Sequence, residues 1–308
     1  MDNSVFASGL SAQVGGDKSP SKVSWDDLGA ILKSDSHHWT YIPNPGNAGD
    51  SLIAESTYQF FDRIGLSYSI ASFRDTLESG ARILIGGGGN LVPMYRNIRN
   101  FLDRNLEAIG SAVVLPHTIR GNEDLLGRLD QRFTLICRER PSYELCLEKA
   151  PGAKVLLGDD MALQWEWERT RAALRDQSAR TTDRQFLVRN LKHLTRRAVH
   201  RWKIHNGTLE AFRGDIEGKN RQHSRRNVDL SQVFSTDEET RLYAAAAVNS
   251  LASFIDRAER VHTDRLHIGV MSAILGKDVT MFDNSYGKNR AVFENSLAPR
   301  FPNVRLVD

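Results

Sequence analysis

From His38 to about Leu163 short apolar runs alternate with amphipathic stretches, and no other feature narrows the possible folds as much. Trp39–Pro43, Ser67–Phe73, Arg82–Ile85, Ala112–Leu115, Phe133–Cys137 and Val155–Leu157 read as strands. Asp50–Ile64, Asn97–Ile109, Gly121–Leu129 and Ser142–Lys149 read as the helices between them. Such alternation predicts a mostly parallel sheet covered on both faces. The second half repeats the theme. Phe186–Val188 is a candidate strand, and Thr236–Arg257 a long helix with Ser235 or Thr236 as cap and Glu238 or Glu239 near its third position. Arg260–His262 reads as a strand, Arg265–Leu275 as a helix stopped by Gly276, and Asp278–Phe282 as a strand. The expectation is an α/β protein of two lobes facing each other across a central cleft. Residues 1–35 read as a loose arm with a short helix at 25–33, and 36–165 as the first lobe. Residues 166–183 read as a linker or connecting helix, and 184–308 as the second lobe. A length of 308 residues suits two such units.

Composition excludes several classes. Cys137 and Cys146 are too few for a disulfide framework and lack metal spacing, so both are expected reduced and no metal centre is expected. No apolar run approaches the roughly 20 residues of a membrane span, and the N-terminus lacks the basic-then-apolar order of a signal peptide. A cytoplasmic location is expected, with the inner membrane face as the variant. Net charge is +3, but residues 184–226 hold twelve Lys and Arg against Glu210, Asp215 and Glu217, about +9. Such a block is either a solvated face or a surface for an anionic partner. Leu191, Leu194, Val199 and Trp202 share one helical face within it, which would permit docking at a membrane interface. Aromatics are sparse there and no nucleic-acid module is present, so nucleic acid is not an expected partner.

Three motifs carry chemistry. Asn44-Pro45-Gly46-Asn47-Ala48-Gly49-Asp50-Ser51 lies between a strand and a helix, where glycines admit close approach and the helix start offers free N–H groups. It suits an anion or a sugar oxygen, or serves as a plain capped turn. Gly86-Gly87-Gly88-Gly89-Asn90-Leu91 follows an apolar strand and is neither a Walker loop nor a complete dinucleotide fingerprint. Val261-His262-Thr263-Asp264-Arg265-Leu266-His267 spans a strand-to-helix junction. There an arginine fork can hold a carboxylate or phosphate and a histidine can move a proton.

Taken in order, Asn47-x-Gly49-Asp50, the Gly87-Gly88-Gly89 loop, Arg138-Glu139-x-x-Ser142, Asp160-x-Ala162-Leu163, Arg265-Leu266-His267, Gly276-Lys277 and Tyr286-Gly287-Lys288 resemble the polysaccharide pyruvyl transferases. The likeness runs from about residue 42 to 297. It implies two Rossmann-like lobes arranged like a B-type glycosyltransferase. It also implies transfer of a pyruvyl group from phosphoenolpyruvate to two hydroxyls of one sugar, on a polysaccharide or lipid-linked oligosaccharide, as a cyclic ketal. Phosphoenolpyruvate is then a co-substrate and no cofactor is needed. By the same resemblance Arg265, Leu266 and His267 contact the donor, with Lys288 and a second arginine, either Arg138 or Arg189. His267 is the first candidate for proton transfer, and Asp50 is either the second or a ligand of the acceptor sugar. Asn47, Gly49, Gly88, Gly89, Asn90 and His117 are candidates for the cleft wall on the acceptor side. The chain departs from the family at His117, where a residue such as Gln is common, and at Asp278, where a proline is usual. The alternatives are a nucleotide-sugar glycosyltransferase of the same shape, or a relative that has lost activity.

Overall fold

The computed structural model describes residues 21–34, 38–178, 181–215, 218, 223–236 and 240–307. In chain order the elements of the first half are α1 (Trp25–Lys33), β1 (Trp39–Ile42), α2 (Ala48–Ile64), β2 (Tyr68–Ile70), β3 (Ala81–Ile85), β4 (Gly88–Leu91), α3 (Asn97–Asn105), β5 (Ile109–Ile119), α4 (Glu123–Leu126), β6 (Phe133–Cys137), α5 (Arg140–Lys149) and β7 (Lys154–Leu157). Then follow α6 (Trp167–Ser178), α7 (Arg184–Val199), β8 (Thr208–Ala211), α8 (Leu230–Val233), α9 (Arg241–Ile255), β9 (Arg260–Thr263), α10 (Leu266–Ile274), β10 (Asp278–Phe282), α11 (Lys288–Val292) and β11 (Val304–Val307).

The strands form two sheets, and every pairing between them is parallel. One has the order β2-β1-β3-β5-β6-β7 with β4 also on β5, and the other β11-β10-β9-β8. Strands buried on both faces need apolar side chains at successive positions. Ile83, Leu84 and Ile85 of β3 are all fully buried, but Leu84 points into one hydrophobic cluster while its two neighbours point into another. The second cluster is closed by Phe101 and Leu102 of α3, Leu125 and Leu126 of α4, and Cys146 of α5. The first runs on through Leu52 and Tyr58 of α2 and Val248 and Leu251 of α9 to Val261 and Met281 of the smaller sheet. Both sheets therefore share one core, with α2 and α9 packed against each other inside it.

Several sequence expectations change. Phe186–Val188 is the first turn of α7 rather than a strand. Asp183 caps it, its Oδ1 accepting from the N–H groups of Gln185 (2.8 Å) and Phe186 (3.2 Å). Ala112–Leu115 belongs to an eleven-residue strand that continues through Pro116. β5 pairs with β3 as far as Val114 and with β4 from His117, so the missing proline N–H falls where partners change. The helix expected over 97–109 ends at Asn105. Residues 167–178 form α6, which packs on α9, and Thr170 Oγ1 donates to Glu55 of α2 at 2.9 Å. The short helix at 25–33 is present, with a capping box between Ser24 and Asp27. The rest of the expected arm, residues 1–20 and 35, lies outside the described residues. So do the cap candidates Glu238 and Glu239, and Lys219 and Arg221 of the basic block.

Candidate active site

In parallel α/β sheets ligands collect beyond the carboxyl ends of the strands. Here the ends of both sheets border one cleft of about 390 Å³. The first sheet contributes Pro45, Gly46, Asn47 and Asp50 after β1, Gly89 and Asn90 in β4, and Arg138 after β6. The second contributes Arg213 and Asp215 after β8, Arg265, Leu266 and His267 after β9, and Lys288 after β10.

The start of α2 is built by its own side chains. Asn47 Oδ1 accepts from the Gly49 N–H at 2.8 Å, and Asp50 Oδ2 from the Asn47 N–H at 2.9 Å. Burial raises the Asp50 carboxyl above its ordinary pKa, against the opposing pull of His267, the Asn47 N–H, Lys288 and Arg138. Gly49 is required by packing, because a Cβ there would lie 2.7 Å from His267 Nδ1. Gly89 likewise leaves room for Arg138 Nη2, 2.7 Å from where its Cβ would stand.

Arg138, 1% exposed, is the pivot. Its Nε donates to Thr118 Oγ1 at 2.9 Å and its Nη1 to Asp160 Oδ2 at 2.7 Å, which leaves Nη2 along Gly89 at the cleft. Burial alone would raise the Asp160 carboxyl, but the Arg138 guanidinium and then His267 hold it well below the carboxylate range. The same Asp160 Oδ2 lies 3.4 Å from His267 Nε2. With Nε2 turned to Asp160, Nδ1 on the Gly49 side is the ring nitrogen left to give or take a proton.

Arg265 and His267 line the same cleft, on the first turn of α10. The Arg265 fork turns toward the second half, where Nε donates to Asp229 Oδ1 at 3.0 Å and Nη2 stands 2.8 Å from Asp215 Oδ2. Asp215 also holds Arg213, at 2.7 Å from its Nε. Lys288 opens α11 with its Nζ 5.2 Å from the centre of the Tyr286 ring.

Four expected residues, Arg189, His117, Gly88 and Gly49, do not line the cleft. Arg189 lies on α7, donates to Thr236 Oγ1 at 3.1 Å, and lines a separate depression with Lys192, His193, Arg196 and Ser235. Between the two arginines that the sequence leaves open, the cleft contains Arg138. His117 is fully buried behind β4. Its Nε2 accepts from the Asn90 and Leu91 N–H groups, each at 3.2 Å, so it holds the loop without lining the cleft. Gly88 is also off the cleft wall, with φ 146°, a conformation that favours glycine.

Sequence reasoning placed Asn44 in the first motif but gave it no role of its own; its Nδ2 donates to the Gly86 and Gly87 carbonyls at 2.7 Å and its Oδ1 accepts from Asn90. It assigned no role to Asp160, Arg213, Asp215 or Asp229. Nothing in the sequence separates Arg213 from the other cations of the basic block. Its place directly after a strand shows only once β8 is known. Among the described residues no group of His, Cys, Asp and Glu has the arrangement of a metal site, and no helix is long and apolar enough to cross a membrane.

Fold and site together define an α/β protein with one cleft, lined by Arg138, Arg213, Arg265, His267 and Lys288 among others, at the carboxyl ends of two parallel sheets. The sequence pattern of the family described as polysaccharide pyruvyl transferase matches residues 47–286, and the chain belongs to that family. A curated relative from Bacillus subtilis (strain 168), named "Putative pyruvyl transferase EpsO", is 24% identical over 297 residues, covering 91% of each chain. A crystal structure of a functionally uncharacterised protein from Klebsiella pneumoniae subsp. pneumoniae NTUH-K2044 superposes with a TM-score of 0.73. It is 27% identical, over 91% of this chain and 97% of that one.

Proposed function

We propose that this chain transfers the pyruvyl group of phosphoenolpyruvate to two hydroxyls of one sugar, on a polysaccharide or lipid-linked oligosaccharide, closing a cyclic ketal. The two facing sheets are read as a glycosyltransferase-B-like arrangement with donor and acceptor in the shared cleft. The observation that carries the reading is the convergence of Arg138, Arg265, His267 and Lys288, from three separate segments, on that cleft. The donor presents a carboxylate and a phosphate, and guanidinium forks match both. Each arginine is already positioned by a carboxylate yet has further N–H donors to offer.

The donor's methylene carbon gains a proton from the imidazolium of His267, which Asp160 orients. A sugar hydroxyl bonds to the adjacent carbon and passes its proton to Asp50. Phosphate leaves with the electrons of the broken C–O bond and takes up the proton held by Asp50, steadied by Arg138 and Lys288. The neighbouring hydroxyl then bonds to the same carbon, and its proton returns to His267. Leu266 supplies an apolar wall, while Asn47 and Asn90 face the acceptor. The reaction calls for no cofactor beyond its co-substrate.

The test incubates the protein with phosphoenolpyruvate and candidate saccharides. Phosphate release should accompany an acceptor mass gain of one pyruvate less one water. His267→Ala should lower kcat by about 100-fold or more with the melting temperature unchanged. Phosphoenolpyruvate should raise the melting temperature of the parent chain. Stabilisation by nucleoside diphosphates but not by phosphoenolpyruvate would overturn the donor assignment.

A further inference from the structure

We infer that α7 and Trp202 form a docking surface for an anionic bilayer. The sidedness of α7 is the reverse of an ordinary surface helix. Phe186 and His193, two turns apart, are its buried residues, and Phe186 packs edge-on against Tyr243 of α9. The side facing water carries Leu187, Val188, Leu191, Leu194 and Val199, and the chain continues directly into Trp202. Leu191 is 64% exposed and Trp202 60%. At 100° per residue those five aliphatic side chains span well under half the helix circumference, so they form one stripe rather than scattered contacts.

Charge selects the occupant. Between Arg184 and Lys203 stand seven Lys and Arg and no Asp or Glu. Lys192, Arg196 and Arg189 follow one another along the flank of the apolar stripe, where they border the depression that also includes His193. The Lys203 Nζ lies 4.5 Å from the centre of the Trp202 ring. An apolar stripe flanked by cations, with a tryptophan at its end, matches a layer of acyl chains beneath anionic headgroups. A second copy would bring the same cations against one another, which opposes self-association through this face. Ser235 borders both the depression and the main cleft, so a docked protein would hold the cleft mouth beside the lipid surface. None of this rests on the pyruvyl-transfer reading, since it concerns only where the chain binds.

The experiment is co-sedimentation of the full chain with vesicles of phosphatidylcholine, with and without phosphatidylglycerol, at low and high salt. Binding is expected only to the anionic vesicles, weakening by about tenfold or more as salt rises. Leu191→Asp with Leu194→Asp should lower vesicle binding by about tenfold or more. Both sites are exposed, so the melting temperature and the response to phosphoenolpyruvate should be unchanged. Lys192→Glu with Arg196→Glu should abolish the preference for anionic lipid. Absence of binding to anionic vesicles at low salt would overturn the inference, as would equal binding to neutral ones. A dimer in sedimentation equilibrium that Leu191→Asp dissociates, without vesicle binding by the parent chain, would assign the face to a second copy instead.

Discussion

His117 shows how far a side chain can matter to a site it does not touch. Its Nε2 gathers two backbone N–H groups of β4, and through them fixes where Asn90 meets the cleft. That bond requires a neutral ring. Burial, and then the nearby Arg138 guanidinium, lower its pKa to about 3. In the unfolded chain the ring titrates near its ordinary value of about 6.5. The folded form therefore binds the proton less readily, and the contribution to stability is complete above that ordinary value and is lost as pH falls through the window toward 3. Between pH 7 and pH 5 this one residue should take away about 2 kcal/mol. His117→Gln, with a neutral amide oxygen as acceptor, should flatten that part of the profile. Urea unfolding at the two pH values checks it, and an equal loss in parent and variant would refute the account. The sequence marks His117 as unusual but cannot tell a buried acceptor from a cleft wall. Arg265 and His267 are legible because a strand-to-helix junction localises them. Asp160, Asp215 and Asp229 are not, because their function depends on which arginine the fold brings to them.

Among the elements, α2 carries the most. Almost every residue from Ala48 to Phe61 is buried, including Glu55, Ser56, Thr57 and Gln59. Those polar groups are satisfied locally, with Ser56 and Thr57 donating to the carbonyls one turn back and Gln59 donating to Glu55. Its first turn is also part of the cleft. Asn47→Ala removes the cap and should cost about 1 kcal/mol of stability, read as a lower urea midpoint. It should lower turnover as well, because the N–H groups at the helix start lose their fixed direction. A variant that is destabilised but fully active would separate the cap from the site. Strands β3, β6, β7, β9 and β10 are legible in the sequence because their runs are apolar and end at turn residues. Phe186-Leu187-Val188 misleads because three apolar residues fit either period. The Asp183 cap and the burial of Phe186 alone decide for helix.

At the scale of the molecule, the two units that the alternation predicts share a core. Apolar side chains from both sheets form one cluster, and the alanines of α9 at 244 and 247 lie fully buried within the helix that packs on α2. Small side chains let helix backbones approach closely, so the contact resembles an interior rather than a hinge surface. The chain should therefore unfold in one step. Hydrogen exchange in β9 and β10 should report the same opening free energy as exchange in β3 and β6. A gap of about 2 kcal/mol or more would show that the halves open separately.

The buried seam between α2 and α9 also limits how the protein can be rebuilt. A hybrid joining the first half of one relative to the second half of another inherits two surfaces shaped for different mates, and must restore their fit side chain by side chain before any exchange of specificity can be read. Recombination at the midpoint of this chain is a packing problem first and a question of substrate choice second.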